Sequence, residues 1–339
     1  MTADVIARNA AQICQRVNFT PLEGKTVLIT GASGLLGTYF LATLAHLKSN
    51  GMTVRGIAQV RSEPPPHTAA IVRRSGFQLT QIDVADHAAC SSLPSADMII
   101  HSSGYAQPLV FMADPVTTYQ INTTATIELL KKLNPGGAFL FVSSTEIYNG
   151  ITNKLASEAD IGTTTPAHPR ACYIEGKRGG EAICHAYRSQ GVRATAARLA
   201  MTYGPGTRKH DKRAMSSFIE RALCQGRIEL MDAGKAIRTY CYVSDAVELM
   251  WQIALRGTHS VYNVGGHSTL TIGELAQMLG NIIGVPVSFP STQTEVAGAP
   301  DEVRLDLTQV EMEFNKHSYV SLEDGLRATI DWQRALYGI

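Results

Sequence analysis

Apolar residues in this chain come in two alternating kinds of run. Short, nearly continuous stretches bounded by turn residues occur at Thr26–Thr30, Thr53–Val60, Phe77–Ile82, Met98–His101, Ala138–Val142 and Ala194–Leu199. Runs of this kind suit strands buried on both faces, as in a parallel sheet covered by helices. Longer stretches predict helices over Leu35–Ser49, Pro115–Leu133, Ala171–Ser189, Ser216–Gln225, Asp245–Ala254, Ile272–Ile283 and Leu322–Leu336, the last with apolar residues returning at three- and four-residue spacing. The alternation is that of βαβ units and predicts an α/β protein with a doubly wound parallel sheet. An Ala-rich helical extension is expected over 1–24, a main lobe over 25–200 resuming at about 238–264, and a smaller, discontinuous α/β lobe over 201–237 and 265–339.

Charge and composition act mainly by exclusion. A formal charge of +1 with 45% hydrophobic residues leaves no basic face for nucleic acid as a partner. No segment reaches the ~20 apolar residues that would cross a bilayer, and the first residues lack a signal-type apolar core, so no membrane partner and a cytoplasmic setting are expected. The six cysteines (Cys14, Cys90, Cys172, Cys184, Cys224, Cys241) form no C-x-x-C pair and have no His at ligand spacing. Reduced structural thiols, with no metal site, are the expectation.

The chemistry begins where the first strand, TVLIT, runs into GASGLLG and then a helix. Gly31, Gly34 and Gly37 sit at that turn, where glycines let the backbone approach a pyrophosphate and the helix amino end attracts the anion. The dinucleotide-binding, Rossmann-type form of the doubly wound fold follows. About 20 residues further on, an acid normally accepts the adenosine ribose hydroxyls, but here the second strand ends Ala58-Gln59-Val60-Arg61. Arg61 fits either a 2′-phosphate, which favours NADP, or stacking on adenine with NAD.

Tyr173 and Lys177 lie one helical turn apart and share a face. A phenol of pKa ~10 becomes a base near neutrality only beside positive charge, which Lys177 and an oxidised nicotinamide would provide. Ser144, in the hydroxyl cluster closing the strand FVSS, is placed to relay a hydrogen bond to Tyr173 or simply to cap the strand. Asn122, in YQINTTATIELL, either orients Lys177 or packs one helix on another.

Several motifs in order, TGASGLLG, IIHSSG, SSTEIY, Tyr173 with Lys177, RLAMTYGP, Arg238 before YCYVSD, YNVGG and Arg304-Leu305-Asp306, make the span from Lys25 to Trp332 resemble the NAD-dependent sugar-nucleotide epimerase/dehydratase family of extended short-chain dehydrogenases. Within it, PRACYIEGKRGGEAICHAY and HDKRAMSSFIERAL are most similar to UDP-glucuronate decarboxylases. The resemblance implies NAD held by Gly31, Ser33, Gly34, Leu35, Leu36 and Gly37, with Asp83 and Val84 at adenine. Arg61, Ser102, Ser103, Gly104, Asn122, Tyr173, Lys177 and Ala200 would complete that site. It implies a nucleotide-sugar substrate, most similar to a UDP-sugar, on Tyr105, Thr145, Arg213, Arg238, Tyr240 and Arg304, and a homodimer. The catalytic set it implies is Tyr173, Lys177, Ser144 and Glu146, forming a transient 4-keto sugar with NAD recycled internally. Decarboxylation, 4-epimerisation and 4,6-dehydration share that first step, and Glu146 stands where decarboxylases and dehydratases carry an acid. Met201 in place of Asn, Asn149 in place of Gly, and the segment Gly104-Tyr105-Ala106-Gln107-Pro108 depart from the decarboxylase pattern and leave another hexose open. An NADPH-dependent reductase and a non-catalytic dinucleotide sensor are the competing readings.

Overall fold

The computed structural model describes residues 2–153, 155–290, 298, 300 and 302–339. Seven strands form the central sheet: β1 (Thr26–Thr30), β2 (Arg55–Val60), β3 (Gln78–Gln81), β4 (Ala96–His101), β5 (Leu133–Ser144), β6 (Arg193–Leu199) and β7 (Val261–Val264). All pair in parallel, in the spatial order 3-2-1-4-5-6-7. The order reverses between β1 and β4, which opens a crevice at their carboxyl ends. This is the Rossmann-type sheet that the alternation of apolar runs predicts.

One expected helix is broken. The run Pro115–Leu133 forms two helices, Pro115–Asn122 and Thr124–Leu130, separated at Thr123. The hydroxyls of Thr118, Thr123 and Thr126 each donate to the carbonyl four residues back, at 2.7, 2.8 and 2.7 Å. Such bonds compete with the helical ladder and bend it.

The smaller lobe is built around the strand Ile237–Tyr242, antiparallel to Ser268–Thr271 and parallel to Met201–Tyr203 and Glu302–Val303. The segment near residue 238 therefore divides. Its strand joins the small sheet, whereas the following helix, Val243–Arg256, is buried in the main core and β7 extends the central sheet. Trp251 on that helix meets Phe19 and Phe40 edge-on, with centroids at 5.3 and 5.1 Å. The amino-terminal helix is fastened to both lobes by Asn9, whose amide donates to the hydroxyls of Tyr39 and Tyr242.

A buried ion network pins the carboxyl-terminal segment to the same helix. Lys316 Nζ lies 2.8 Å from Asp245 and 3.0 Å from Glu248, and all three side chains are buried. Removing the ammonium leaves two carboxylates in the core with Arg16 alone, half-exposed, on Glu248. Lys316→Ala should cost about 3–5 kcal/mol. Urea unfolding should show a lower midpoint at unchanged slope; a wild-type midpoint would mean that the network carries no net stability.

Candidate active site

The cofactor cradle forms where β1, β2 and β4 end together. Gly31 has φ +65°, and a Cβ there would lie 2.8 Å from Ser102 O and Ser103 N. A Cβ on Gly37 would fall 2.4 Å from Gly31 O and 2.5 Å from Ala32 Cα. Only glycine permits this turn, which leads through Gly34 into the amino end of helix Leu35–Ser49. Buried Gln59 holds the junction: its Oε1 accepts from Gly31 N (3.1 Å) and Ser103 Oγ (3.2 Å), and its Nε2 donates to Ile82 O (2.7 Å). Ser102 Oγ donates to Thr30 O at 2.6 Å. Asp83 closes the turn after β3 by accepting from Ala85 N, beside buried Val84. Leu35 and Leu36 pack against the main core, and Ala200 N donates to Val264 O. A backbone cradle closed to side chains, at the amino end of a helix, fits a dinucleotide diphosphate.

Tyr173 and Lys177 project from the helix Ala171–Ser189 onto the end of β5. Lys177 is buried, donates to Val142 O at 2.7 Å, and lies 5.7 Å from the Tyr173 ring centroid. Ser144 caps the turn Thr145–Tyr148 by accepting from Glu146 N, and its hydroxyl hydrogen-bonds Tyr173. Burial pushes the Tyr173 phenol up to about 12, opposed first by the Ser144 bond and then by Arg213 and Arg170, while Glu146 adds to the rise. Burial likewise pulls the Lys177 ammonium down to about 7, with Glu181 opposing. Beside them, His101 is kept neutral by burial, its value lowered to about 4, while its ring nitrogens bond Thr30 and Ile121. In the protein alone, then, the tyrosine is a neutral phenol. The opposing charges are those of Arg213 and Arg170 and not, as the sequence predicts, that of Lys177, and the cost of charging a dry site prevails.

Glu146 is paired with Arg170 at 2.5 Å, leaving its second oxygen buried with no hydrogen bond among the described residues. The Arg170 guanidinium lies 5.8 Å over the Phe111 ring, which stacks on Tyr173 at 4.5 Å and 13°. Arg213 is forked onto Asp211 and faces Tyr173. Thr145 sits on the same turn as Glu146. The Asn122 side chain donates to Thr118 O within its own helix, and its Oδ1 is buried without a partner among the described residues.

Other residues singled out in the sequence lie further from the phenol. Arg238 and Tyr240 are on the central strand of the small sheet, with Met201 in register with Tyr240, whose buried hydroxyl has no partner among the described residues. Arg304 follows Val303, which pairs with Arg238, and contacts Glu302. The Tyr105 hydroxyl meets Arg61, whose guanidinium lies 5.0 Å over the tyrosine ring, so both sit at the cofactor crevice. A surface hollow of about 770 Å³ on the small lobe, lined by Lys235, Glu274, Gln277, Phe289 and Arg327 among others, contains none of these groups. Donors and charges converge instead at the Tyr173 cluster. Among the described residues no cluster of His, Cys, Asp or Glu could hold a metal. Gln59, Phe111, Arg170 and Arg208 escape a sequence reading. Only Gln59 leaves a local trace, as a lone amide in an apolar strand.

Comparison with known proteins fits this geometry. Residues 27–265 match the profile of the NAD dependent epimerase/dehydratase family. The UDP-glucuronic acid decarboxylase 1 of Xenopus tropicalis is 30% identical over 316 residues, spanning 92% of this chain and 73% of that protein. The UDP-glucuronic acid decarboxylase 5 of Arabidopsis thaliana is 28% identical, spanning 88% and 86%. Among solved structures, the dTDP-glucose 4,6-dehydratase DesIV of Streptomyces venezuelae with NAD and TYD bound superposes with a TM-score of 0.79 at 22% identity, covering 92% of this chain and 98% of that one. MoeE5 in complex with UDP-glucuronic acid and NAD superposes with a TM-score of 0.75 at 22% identity, covering 92% and 99%. The chain belongs to the NAD dependent epimerase/dehydratase family and is an NAD-using enzyme that modifies nucleotide sugars.

Proposed function

We propose that the protein decarboxylates a UDP-uronate through a transient 4-keto sugar. The observation that carries this reading is the pair of guanidinium groups, Arg170 and Arg213, whose charges both act on Tyr173, with Arg170 paired to Glu146 and lying over the Phe111 ring that stacks on Tyr173. Two fixed cations at the phenol suit a sugar bearing a ring carboxylate, and they favour the charged form of the base. The names of the relatives support the same substrate class.

NAD, when bound, supplies the two-electron acceptor for the sugar carbon, returns the pair later, and adds positive charge beside the phenol. Tyr173 takes the 4-hydroxyl proton, and Ser144 holds that hydroxyl in line. Lys177, anchored on Val142 O, fixes the height of the phenol and reaches the cofactor ribose. The oxidised uronate is a β-keto acid. Its C5–C6 bond breaks, carbon dioxide departs, and the electron pair left on the ring is protonated at C5 before C4 is reduced. Glu146, oriented by Arg170, faces the ring and manages that proton. Arg238, on the central strand of the small sheet, and Arg304, just after the strand paired with it, hold the diphosphate, with Tyr240 lining its pocket.

The protein acts as a homodimer in the cytoplasm. Leu109, Val110, Val116 and Tyr119 are exposed on two consecutive short helices, a concentration of apolar surface that a second copy would cover. The described cysteines are all free, as a reducing compartment requires, and no described helix is long and apolar enough to cross a membrane.

One test of the product and three of named residues follow from this reading. Mass spectrometry over UDP-, GDP-, CDP- and dTDP-sugars should show loss of carbon dioxide from UDP-glucuronate; inversion without mass change would make the enzyme an epimerase, and loss of water a dehydratase. Tyr173→Phe should lower turnover by about 10²–10⁴-fold with cofactor affinity nearly unchanged, and full turnover would exclude Tyr173 as base. The second test concerns Lys177, whose value of about 7 in the folded protein lies below the ordinary 10.5. The unfolded chain thus holds a proton that the folded one gives up between those values, so folding becomes more favourable as pH rises through that window. Lys177→Met should therefore stabilise the cofactor-free protein most near and below neutrality, with a gain that shrinks towards pH 10; thermal unfolding with a pH-independent gain would contradict this. The third is sedimentation of the Val116→Glu variant, which should run as a monomer where the wild type runs as a dimer; a wild-type monomer removes the dimer from the reading.

A further inference from the structure

Around the glycine turn the structure collects positive charge that the diphosphate of NAD does not explain. Arg208, on the loop after Met201–Tyr203, reaches back to the turn: its Nη2 lies 2.7 Å from Ser33 Oγ and 3.0 Å from Ser33 O, and its Nε 3.3 Å from the same carbonyl. Arg61 leaves the end of β2 immediately beside this turn, since Ala32 N donates to Gln59 O at 3.0 Å. The charges of Arg61 and Arg208 act on each other, and burial with Arg61 holds the Arg208 guanidinium below its ordinary range. His67, on the helix after β2, is lowered by burial and by Arg208, and its Nε2 is buried without a hydrogen bond among the described residues. The carboxylate acting on Arg208, Asp211, is itself taken up by the Arg213 fork. The loop is held in place by Trp332, whose indole donates to Thr207 O at 2.9 Å.

Mutually repelling cations held at fixed positions are stabilised by an anion placed among them. The end of β2 is where a Rossmann-type sheet meets the adenosine ribose, and an acid there accepts the 2′-hydroxyl. Here the strand ends Gln59-Val60-Arg61, so the acid is missing and guanidinium groups come from two different segments. We propose that Arg61, Arg208 and Ser33 form a subsite for the 2′-phosphate of NADP(H), so that the protein binds the 2′-phosphorylated dinucleotide in addition to NAD. The proposal rests on the glycine turn holding a dinucleotide, and it extends the cofactor range without altering the sugar chemistry.

Calorimetric titration of the cofactor-free protein with NAD⁺, NADP⁺, 5′-AMP and 2′,5′-ADP tests it. NADP⁺ should bind at least as tightly as NAD⁺, and 2′,5′-ADP more tightly than 5′-AMP. Arg61→Ala and Arg208→Ala should each weaken NADP⁺ and 2′,5′-ADP about tenfold or more, and by a larger factor than they weaken NAD⁺ and 5′-AMP. Arg61 is exposed, so its variant reads binding without risk to folding even if Arg208→Ala loosens the loop. Tight NAD⁺ with no gain from the 2′-phosphate overturns the subsite, as does equal weakening of both dinucleotides, which would assign the arginines to the diphosphate. Failure of the sugar reading shows instead in the mass of the product and leaves these affinities untouched.

Discussion

Lys177 reaches the end of β5 because glycines let the helix that carries it settle closely onto the Phe141 ring of that strand and onto the neighbouring segment at Asn122 and Thr123. A Cβ on Gly180 would fall 2.3 Å from Phe141 Cζ, one on Gly179 2.8 Å from Thr123 Cγ2, and one on Gly176 3.3 Å from Asn122 Cβ. Each glycine inside a helix costs about 1 kcal/mol against alanine. That cost is offset by an approach that sets the height of every functional group on the helix. Tyr173 lies one turn earlier and meets Ser144. Glu181 lies one turn later, accepting from Ser143 and from the Arg198 fork. The serine pair closing β5 is thus held from both ends of one rigid element, and the phenol has little freedom to miss the substrate hydroxyl.

The same closeness creates an electrostatic problem. Excluding water raises the phenol to about 12 and lowers the lysine to about 7, both away from the charged forms that proton transfer uses. The dry environment also strengthens any charge brought near. Arg170 and Arg213 are such charges, each resting on a carboxylate, Glu146 or Asp211. Resting pairs of this kind add little net field until an anionic ligand competes for the guanidinium. Under the proposed mechanism, activation of the tyrosine would thus follow occupancy of the site by an anionic substrate.

The central sheet was legible because strands buried on both faces leave unbroken apolar runs, and the glycine turn because backbone contact tolerates no Cβ at Gly31 or Gly37. Tyr173 and Lys177 were legible from their spacing along a helix. Features made by residues far apart in the chain were not. Phe111 stacks on Tyr173, and Arg208 reaches Ser33, without any periodicity that announces either contact. The break at Thr123 was hidden for another reason: the apolar pattern of YQINTTATIELL continues through it, and only hydroxyls turned back on the backbone reveal it. The segment near residue 238 reads as one apolar stretch, yet Ile237–Tyr242 pairs in the small sheet while the helix starting at Val243 is buried in the main core.

That last division bears on how one family supports several reactions. The groups needed for the shared oxidation, Ser144, Tyr173 and Lys177, sit on β5 and its packed helix, where a shift of any one would disturb the core. The groups that the proposed mechanism sets against the rest of the sugar come from thinner parts of the structure: the short helix bearing Phe111, the turn bearing Glu146, and the loop carrying Asp211 and Arg213. Substitution there changes shape and charge around the ring without moving the phenol. Of the departures from the decarboxylase pattern, Gly104–Pro108 and Asn149 lie in such thinner parts, whereas Met201 is on the strand Met201–Tyr203. Phe111, following directly on the first of them, fills the space between Tyr173 and Arg170 in which a ring substituent must be read. Under the proposed mechanism, substrate choice turns on how an apolar ring and a guanidinium share that space, while the oxidation itself is set by the sheet.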